Sequence, residues 1–170
     1  MQTLILGMGN KLFGDDGVGI VVAERLQEIL VENDQIKIES TNWGGFRIID
    51  LLTGYNYAIV IDSINTGMKP IGFIHKWDYT DLINSVRMIS FHDVNFATAV
   101  SLAKKLNISM PEKIIVYGIE INLTNHFSEG LSEIIKQSAT QCVELVLNDL
   151  NFHADESRLL SIEKFEEEIK

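Results

Sequence analysis

The stretch GMGNKLFGDDGVG, residues 7–19, lies between a short apolar run at residues 4–6 and a segment at residues 20–30 whose apolar residues recur at helical spacing. Its five glycines predict a sharp turn from a strand into a helix. Turns of this kind often bind phosphate at the helix N-terminus, but Asp15 and Asp16 bring negative charge to that position. The stretch has the shape of an anion site and the wrong charge for one.

Outward from this turn, short apolar runs alternate with longer helical patterns. The runs predict strands at residues 2–6, 36–40, 57–62, 72–77 and 113–119, and a long amphipathic helix is predicted at residues 131–150. The alternation predicts a single-domain α/β fold, a three-layer sandwich with helices on both faces of a mostly parallel, twisted sheet of about five strands.

The charge distribution separates the end of the chain from the rest. We assign the α/β domain to residues 1–150. Residues 151–170 carry six acidic and three basic residues and are predicted to form an acidic C-terminal tail or a peripheral helix.

The composition limits the partners. A net charge of -10 disfavours binding to nucleic acid or anionic lipid by charge. The one cysteine, Cys142, lies in a helical apolar pattern, which indicates a core position and excludes a disulfide framework. No apolar run has the length of a membrane span, and the N-terminus has no signal pattern. We expect a cytoplasmic monomer with no membrane or nucleic-acid partner.

A nucleotide-binding α/β protein is one alternative. Gly7 and Gly9 follow a predicted strand, but Leu12 stands where the dinucleotide fingerprint needs its third glycine. Asp15 and Asp16 would repel a pyrophosphate at the helix start. There is also no GxxxxGKS/T loop. No nucleotide cofactor is therefore expected.

Three side chains from separate segments form the candidate site. Asp16 follows the first predicted strand, Asp62 ends the third, and His92 stands at the entrance of a helix. Each has an ordinary explanation as a helix cap or a core residue. Sites in parallel sheets form at the carboxyl ends of the strands, so the three can converge. Carboxylate and imidazole together suit zinc, nickel, manganese or iron. His75 has no comparable placement.

The chain resembles the hydrogenase maturation proteases, the endopeptidases that trim NiFe-hydrogenase large-subunit precursors. The resemblance covers residues 1–150 and rests on Asp62, His92 and the pattern Gly7-x-Gly9-Asn10-x-Leu12-x-x-Asp15-Asp16-Gly17-x-Gly19. Supporting matches are Trp43-Gly44-Gly45, Gly118-Ile119-Glu120 and Gly130-Leu131-Ser132. The chain differs from the common family pattern in having Ile121 in place of a proline.

The resemblance implies a peptidase that removes the C-terminal extension of the precursor after nickel insertion, on a phosphorylase/hydrolase-like fold. It implies that Asp16, Asp62 and His92 are both the metal-contacting and the catalytic residues. The nickel would be carried by the precursor and would serve for recognition. It would also activate water, or one aspartate would act as a general base, as in an aspartic-type peptidase.

Three further expectations complete the hypothesis. Asp15 is the reserve residue for either role and is expected to cap the helix. The glycines are expected to let a partner approach closely. A non-catalytic nickel-binding or partner-binding maturation factor is the remaining alternative to a peptidase.

Overall fold

The computed structural model describes residues 2–30, 33–42, 44–80, 96–124 and 126–150. In these residues five strands form one sheet in the order β2-β1-β3-β5-β4. Strands β1, β2, β3 and β5 are parallel, whereas β4 runs antiparallel to β5. The strands are β1 (Thr3–Met8), β2 (Ile36–Thr41), β3 (Tyr57–Ile64), β4 (Ile74–Asp78) and β5 (Lys113–Glu120). The predicted α/β class and mostly parallel sheet are confirmed.

Helices cover both faces of the sheet. They are α1 (Val18–Ile29), α2 (Arg47–Leu52), α3 (Phe96–Lys105) and α4 (Glu133–Asp149). Helices α1 and α4 pack with one set of strand side chains, which includes Ile5, Ile59 and Ile61. Leu4, Leu6 and Val60 point to the opposite face and pack against α2 and α3. The alternation of side chains along each strand therefore divides the core into two layers, as the three-layer prediction requires.

The strand order reverses direction at β1. The chain passes from β1 through α1 to β2 on one side, and then returns through α2 to β3 on the other side. The crevice at the carboxyl ends of β1 and β3 is thus a topological switch point, the usual ligand position in open α/β sheets. This is where the glycine-rich stretch leaves β1.

Two element boundaries near this crevice position the aspartates, and the predicted end of β3 at Asp62 is wrong. Strand β3 continues for two residues beyond Asp62, because Ser63 and Ile64 still pair with β5. Helix α1 begins at Val18, since Gly14–Gly17 form a short 3-10 turn that carries Asp15 and Asp16. Asp62 therefore lies inside a strand, and Asp16 lies ahead of the α-helix.

Some predictions fall outside the described residues. These are Trp43, His92 and the tail at residues 151–170, so the domain boundary at 150 stays a prediction. Within the described ranges, no helix combines the length and the apolar character needed to cross a membrane.

Candidate active site

Two glycines bring helix α1 into direct contact with the strands. A Cβ atom on Gly7 would collide with the backbone of Gly19, and a Cβ atom on Gly19 would collide with the carbonyl oxygens of Met8 and Ile61. The glycines were expected to let a partner approach closely. At Gly7 and Gly19 it is the protein's own backbone that approaches. The packing holds the start of α1 against β1 and β3, and so fixes the turn in front of it.

Asp15 contacts a residue 117 positions later in the sequence. Its carboxylate accepts hydrogen bonds from the backbone N–H of Ser132, at 2.6 Å, and from the Ser132 hydroxyl, at 2.9 Å. Ser132 is the N-cap residue of α4. Asp15 therefore joins the glycine-rich turn to the start of α4, whereas the sequence placed it as a cap of the helix that follows it.

Asp16 lies on the inner side of the same turn and is 8% exposed. Its Oδ1 accepts a hydrogen bond of 2.7 Å from the hydroxyl of Ser63, which follows Asp62 on β3. The turn after β1 and the end of β3 are thus connected through one hydroxyl group. The structure brings Asp16 and Asp62 together, as the strand-end rule predicts.

Asp62 is fully buried. Its Oδ1 accepts a hydrogen bond of 2.8 Å from the backbone N–H of Ser63, whereas its Oδ2 has no hydrogen-bond donor among the described residues. Burial raises the pKa of Asp62 well above its ordinary value, and the nearby Asp16 carboxylate raises it further, against the opposing effect of the Ser63 N–H. A buried carboxylate oxygen without a donor is costly to fold, and this cost points to a binding or catalytic role.

The third predicted member of the site, His92, lies outside the described residues. In the ranges that the structure does describe, no three His, Cys, Asp or Glu side chains are arranged to hold a metal ion. Asp16 and Asp62 are a pair of acids that needs at least one further ligand to form a catalytic metal site.

A second buried acid, Glu120, was singled out in the sequence only through its family motif. Its Oε1 accepts hydrogen bonds from the Thr66 N–H, the Thr66 hydroxyl and the Gly67 N–H at 2.7–2.8 Å. Its Oε2 lies 3.1 Å from Nε2 of His75. Burial disfavours the charged carboxylate, but these hydrogen bonds outweigh it and hold the pKa of Glu120 below its ordinary value. Glu120 thus anchors the loop that follows β3.

His75 is the residue whose role the sequence pattern missed. Its ring stacks on Trp77 with the ring centroids 4.6 Å apart, and it meets Phe73 edge to face at 4.7 Å. These aromatic contacts hold His75 against Glu120. A signal was present, since His75 and Trp77 are two residues apart on β4 and so lie on one face of the strand, but nothing local in the sequence pairs His75 with Glu120.

The two acids of the crevice have the properties of an acid–base or cation-binding pair. A carboxyl group with a raised pKa holds a proton more readily than an ordinary carboxyl group does, and a second acid beside it favours that protonated form. The same two groups can contact a cation. The cation would give Oδ2 of Asp62 a positively charged partner, which this oxygen does not have among the described residues.

A family model described as hydrogenase maturation protease matches residues 20–149. The match includes Asp62 and begins just after the glycine-rich stretch. Asp16 lies outside the matched residues, so its assignment to the candidate site rests on the structure and on the sequence pattern.

Individual proteins agree with the family match. The chain is 24% identical over 151 residues to the hydrogenase expression/formation protein HupD of Thiocapsa roseopersicina, which covers 88% of this chain and 67% of that protein. The hydrogenase maturating endopeptidase HybD of Escherichia coli has the same fold, with a TM-score of 0.77, 22% identity, and 89% and 93% of the two chains covered. The hydrogenase maturation protease HycI of Thermococcus kodakarensis has a TM-score of 0.70 and 26% identity, and the coverage is 88% and 92%.

Proposed function

Because the chain belongs to the hydrogenase maturation protease family, we propose that it removes the C-terminal extension of a NiFe-hydrogenase large-subunit precursor once nickel has been inserted. The chain is accordingly a peptidase. The observation that carries the finer proposal is the buried pair of Asp16 and Asp62, in which Oδ2 of Asp62 has no donor among the described residues. Such an oxygen suits a cation or a proton.

In this proposal nickel arrives as part of the substrate and is contacted by Asp16, Asp62 and His92. Two carboxylates and an imidazole are suitable nickel ligands. Asp62 shares its side of β3 with Val60 and Ile64, which pack toward α3, and His92 precedes that helix by four residues in the sequence. Because the pair is removed from water, contact with a cation would be stronger here than on the surface.

Hydrolysis of the peptide bond needs a base that takes a proton from water. The raised pKa of Asp62 suits that role, and the proton would pass to the amine that leaves. By this route the enzyme is of the aspartic type. When nickel is bound, it would also polarise the scissile carbonyl group. Asp16 and Asp62 are required in either case.

The test is the mass of a co-expressed large-subunit precursor, measured with and without nickel. We expect the intact protein to shorten only the nickel-loaded precursor, and the variant Asp16→Asn to leave it uncut. Asp50→Asn, which removes the same charge from an exposed position on α2, should cut normally. Normal cutting by Asp16→Asn, or equal cutting of nickel-free precursor, would contradict the proposal.

The same experiment addresses the remaining alternative. A non-catalytic maturation factor would bind the precursor without changing its mass. The family assignment replaces the nucleotide-binding alternative. We place the reaction in the cytoplasm in this proposal, and the single buried thiol is compatible with that compartment. The monomeric state stays a prediction.

A further inference from the structure

We propose that a groove beside the glycine-rich stretch binds an extended peptide that carries apolar side chains and carboxylates. This inference rests on the proposed function, because the peptide we assign to the groove is the C-terminal extension of the precursor. The groove has a volume of about 790 Å³, which is within the usual range for ligand pockets. We call it the Phe127 groove. Its principal lining residues are Leu12, Val21, Arg25, Phe127, Leu131 and Lys136.

Two loops are fastened together along the rim. The carbonyl oxygen of Leu12 accepts a hydrogen bond of 3.1 Å from the Ser128 N–H, and Phe13 forms a parallel β-bridge with Ser128. The rings of Phe13 and Phe127 are stacked, with their centroids 5.4 Å apart. The rim is therefore built by specific contacts between the glycine-rich stretch and the loop before α4.

The rim exposes large apolar side chains to solvent. Phe127 is 80% exposed and Leu12 is 62% exposed. A single exposed apolar residue is ordinary, but two on the rim of one concave groove are typical of a surface that a partner covers. Apolar side chains of a bound peptide would bury both of them.

The charge of the lining favours an acidic peptide. Lys11, Arg25 and Lys136 line the groove together with one acid, Glu129, although the whole chain has a net charge of -10. Arg25 is 4% exposed, and it donates a hydrogen bond of 2.9 Å to the hydroxyl of Thr140. The positive charge is therefore held in place within the groove.

The two lysines of the lining have acidic neighbours outside it. Lys11 pairs with Glu24 at 2.6 Å, and Lys136 pairs with Glu133 at 2.8 Å. Ion pairs with this degree of exposure contribute little to stability. A carboxylate of the peptide can therefore replace either partner at little cost.

The groove adjoins the candidate active site through the chain itself. Lys11, Leu12 and Gly14 contribute to the lining, and Gly14 begins the turn that carries Asp16. A peptide seated in the Phe127 groove would thus lie beside the segment that positions Asp16. This arrangement suits a part of the substrate near the cleaved bond.

Binding is measured apart from cleavage by using the variant Asp16→Asn, labelled with nitrogen-15 for NMR titration. The probe is the peptide Ac-Val-Leu-Asp-Val-Glu with a free carboxylate, compared with Ac-Val-Leu-Asn-Val-Gln-amide and Ac-Ser-Ser-Asp-Ser-Glu. We expect amide shifts to cluster at Leu12 and at residues 127–131. We also expect the Kd to rise about tenfold when either the charges or the apolar side chains are removed.

A matched pair of variants locates the site. The double change Leu12→Ser and Phe127→Ser should raise the Kd of the first peptide about tenfold. Leu123→Ser, which alters a 67% exposed leucine that does not line the groove, should leave it unchanged. Equal effects of the two variants would overturn the inference. So would shifts at Leu12 that depend on protein concentration without peptide, since they would assign the groove to a second copy of the chain.

Cleavage kinetics separate this inference from the proposed function. In protein with an intact Asp16, the double variant should raise the KM for nickel-loaded precursor about tenfold with an unchanged kcat. If the parent protein cleaves and the KM of the double variant equals that of Leu123→Ser, the groove is wrong and the proposed function stands. If the parent protein does not cleave, the proposed function fails and the peptide titration still decides the groove. Circular dichroism melts confirm that each variant is folded.

Discussion

Asp62 and Glu120 are buried acids on neighbouring strands of the same sheet, yet their surroundings differ. Glu120 lies at the end of β5, two residues beyond the register partner of Asp62, and makes four hydrogen bonds with the loop after β3 and with His75. Among the described residues Asp62 has one donor, the N–H of Ser63. The pKa of Glu120 is lowered by its partners, whereas burial and Asp16 raise the pKa of Asp62.

The difference teaches how to separate a structural acid from a functional one. Both are removed from water, so burial does not distinguish them. Glu120 is compensated by hydrogen bonds and stabilises the fold around it. Among the described residues no donor reaches one oxygen of Asp62, which costs stability and leaves that oxygen for a ligand or a proton. The predictions below test this contrast.

The largest expected effect is on catalysis. Asp62→Asn should lower kcat/KM for the nickel-loaded precursor by about 10²–10⁴-fold, since the amide can neither accept a proton nor carry charge to a cation. Precursor shortening followed by mass spectrometry measures this. Cleavage within about threefold of the parent rate would place Asp62 with Glu120 among the structural acids.

The second effect is on stability. Glu120→Ala should lower the free energy of unfolding by about 3 kcal/mol, because the N–H groups of Thr66 and Gly67 lose their acceptor. Urea denaturation measures the change, and Glu112→Ala at an exposed position is the control. A loss no larger than that of the control would show that Glu120 is not the anchor of this loop.

The link between the two aspartates should have a smaller effect. Ser63→Ala removes the hydroxyl that donates to Asp16, and we expect kcat/KM to fall about tenfold. Ser63→Thr keeps a hydroxyl in a strand that tolerates β-branched residues, so it should retain most of the activity. An alanine variant as active as the threonine variant would remove Ser63 from the site.

The smallest effect concerns stability as a function of pH. A raised folded pKa means that Asp62 costs nothing below its ordinary value of 3.8 and costs progressively more as the pH rises above it. Asp62→Asn should therefore be more stable than the parent by about 1 kcal/mol at pH 7, and the gain should shrink toward pH 4. Denaturation at several pH values measures the gain.

Glu120 provides the opposite sign in the same experiment. Its lowered pKa contributes stability that is present above 4.5 and is lost as the pH falls through the folded pKa. The deficit of Glu120→Gln should therefore be largest at neutral pH and disappear in acid. Parallel pH profiles for the two variants would contradict the contrast between the two residues.

Much of the fold could be predicted because its signals are local. The apolar runs and the glycine-rich turn predict parallel strands, and parallel strands bring their carboxyl ends to one edge. That geometry alone places Asp16 near Asp62. The strand-end position of Asp62 was wrong, because nothing within residues 57–62 shows that Ser63 and Ile64 continue to pair with β5.

The surroundings of the acids could not be predicted in this way. The partners of Glu120 lie on a loop and on an edge strand distant in the sequence, and hydrogen bonds between such segments leave no periodic pattern. The hydrogen bonds from Ser132 to Asp15 likewise depend on how α4 packs against the rest of the domain. The sequence therefore identifies the acids, but it does not show which of them has hydrogen-bond donors for both carboxylate oxygens.

During synthesis, Asp15 is made long before the residue that holds it. Ser132 follows 117 positions later, so the hydrogen bonds between them close a very long loop. The chain has both Asp16 and Asp62 after its first 62 residues, but the turn that carries Asp16 gains its contact with Ser132 through Asp15 only when the start of α4 has been made and has docked. A nascent chain thus contains both aspartates of the site before the contact between Asp15 and Ser132 can form.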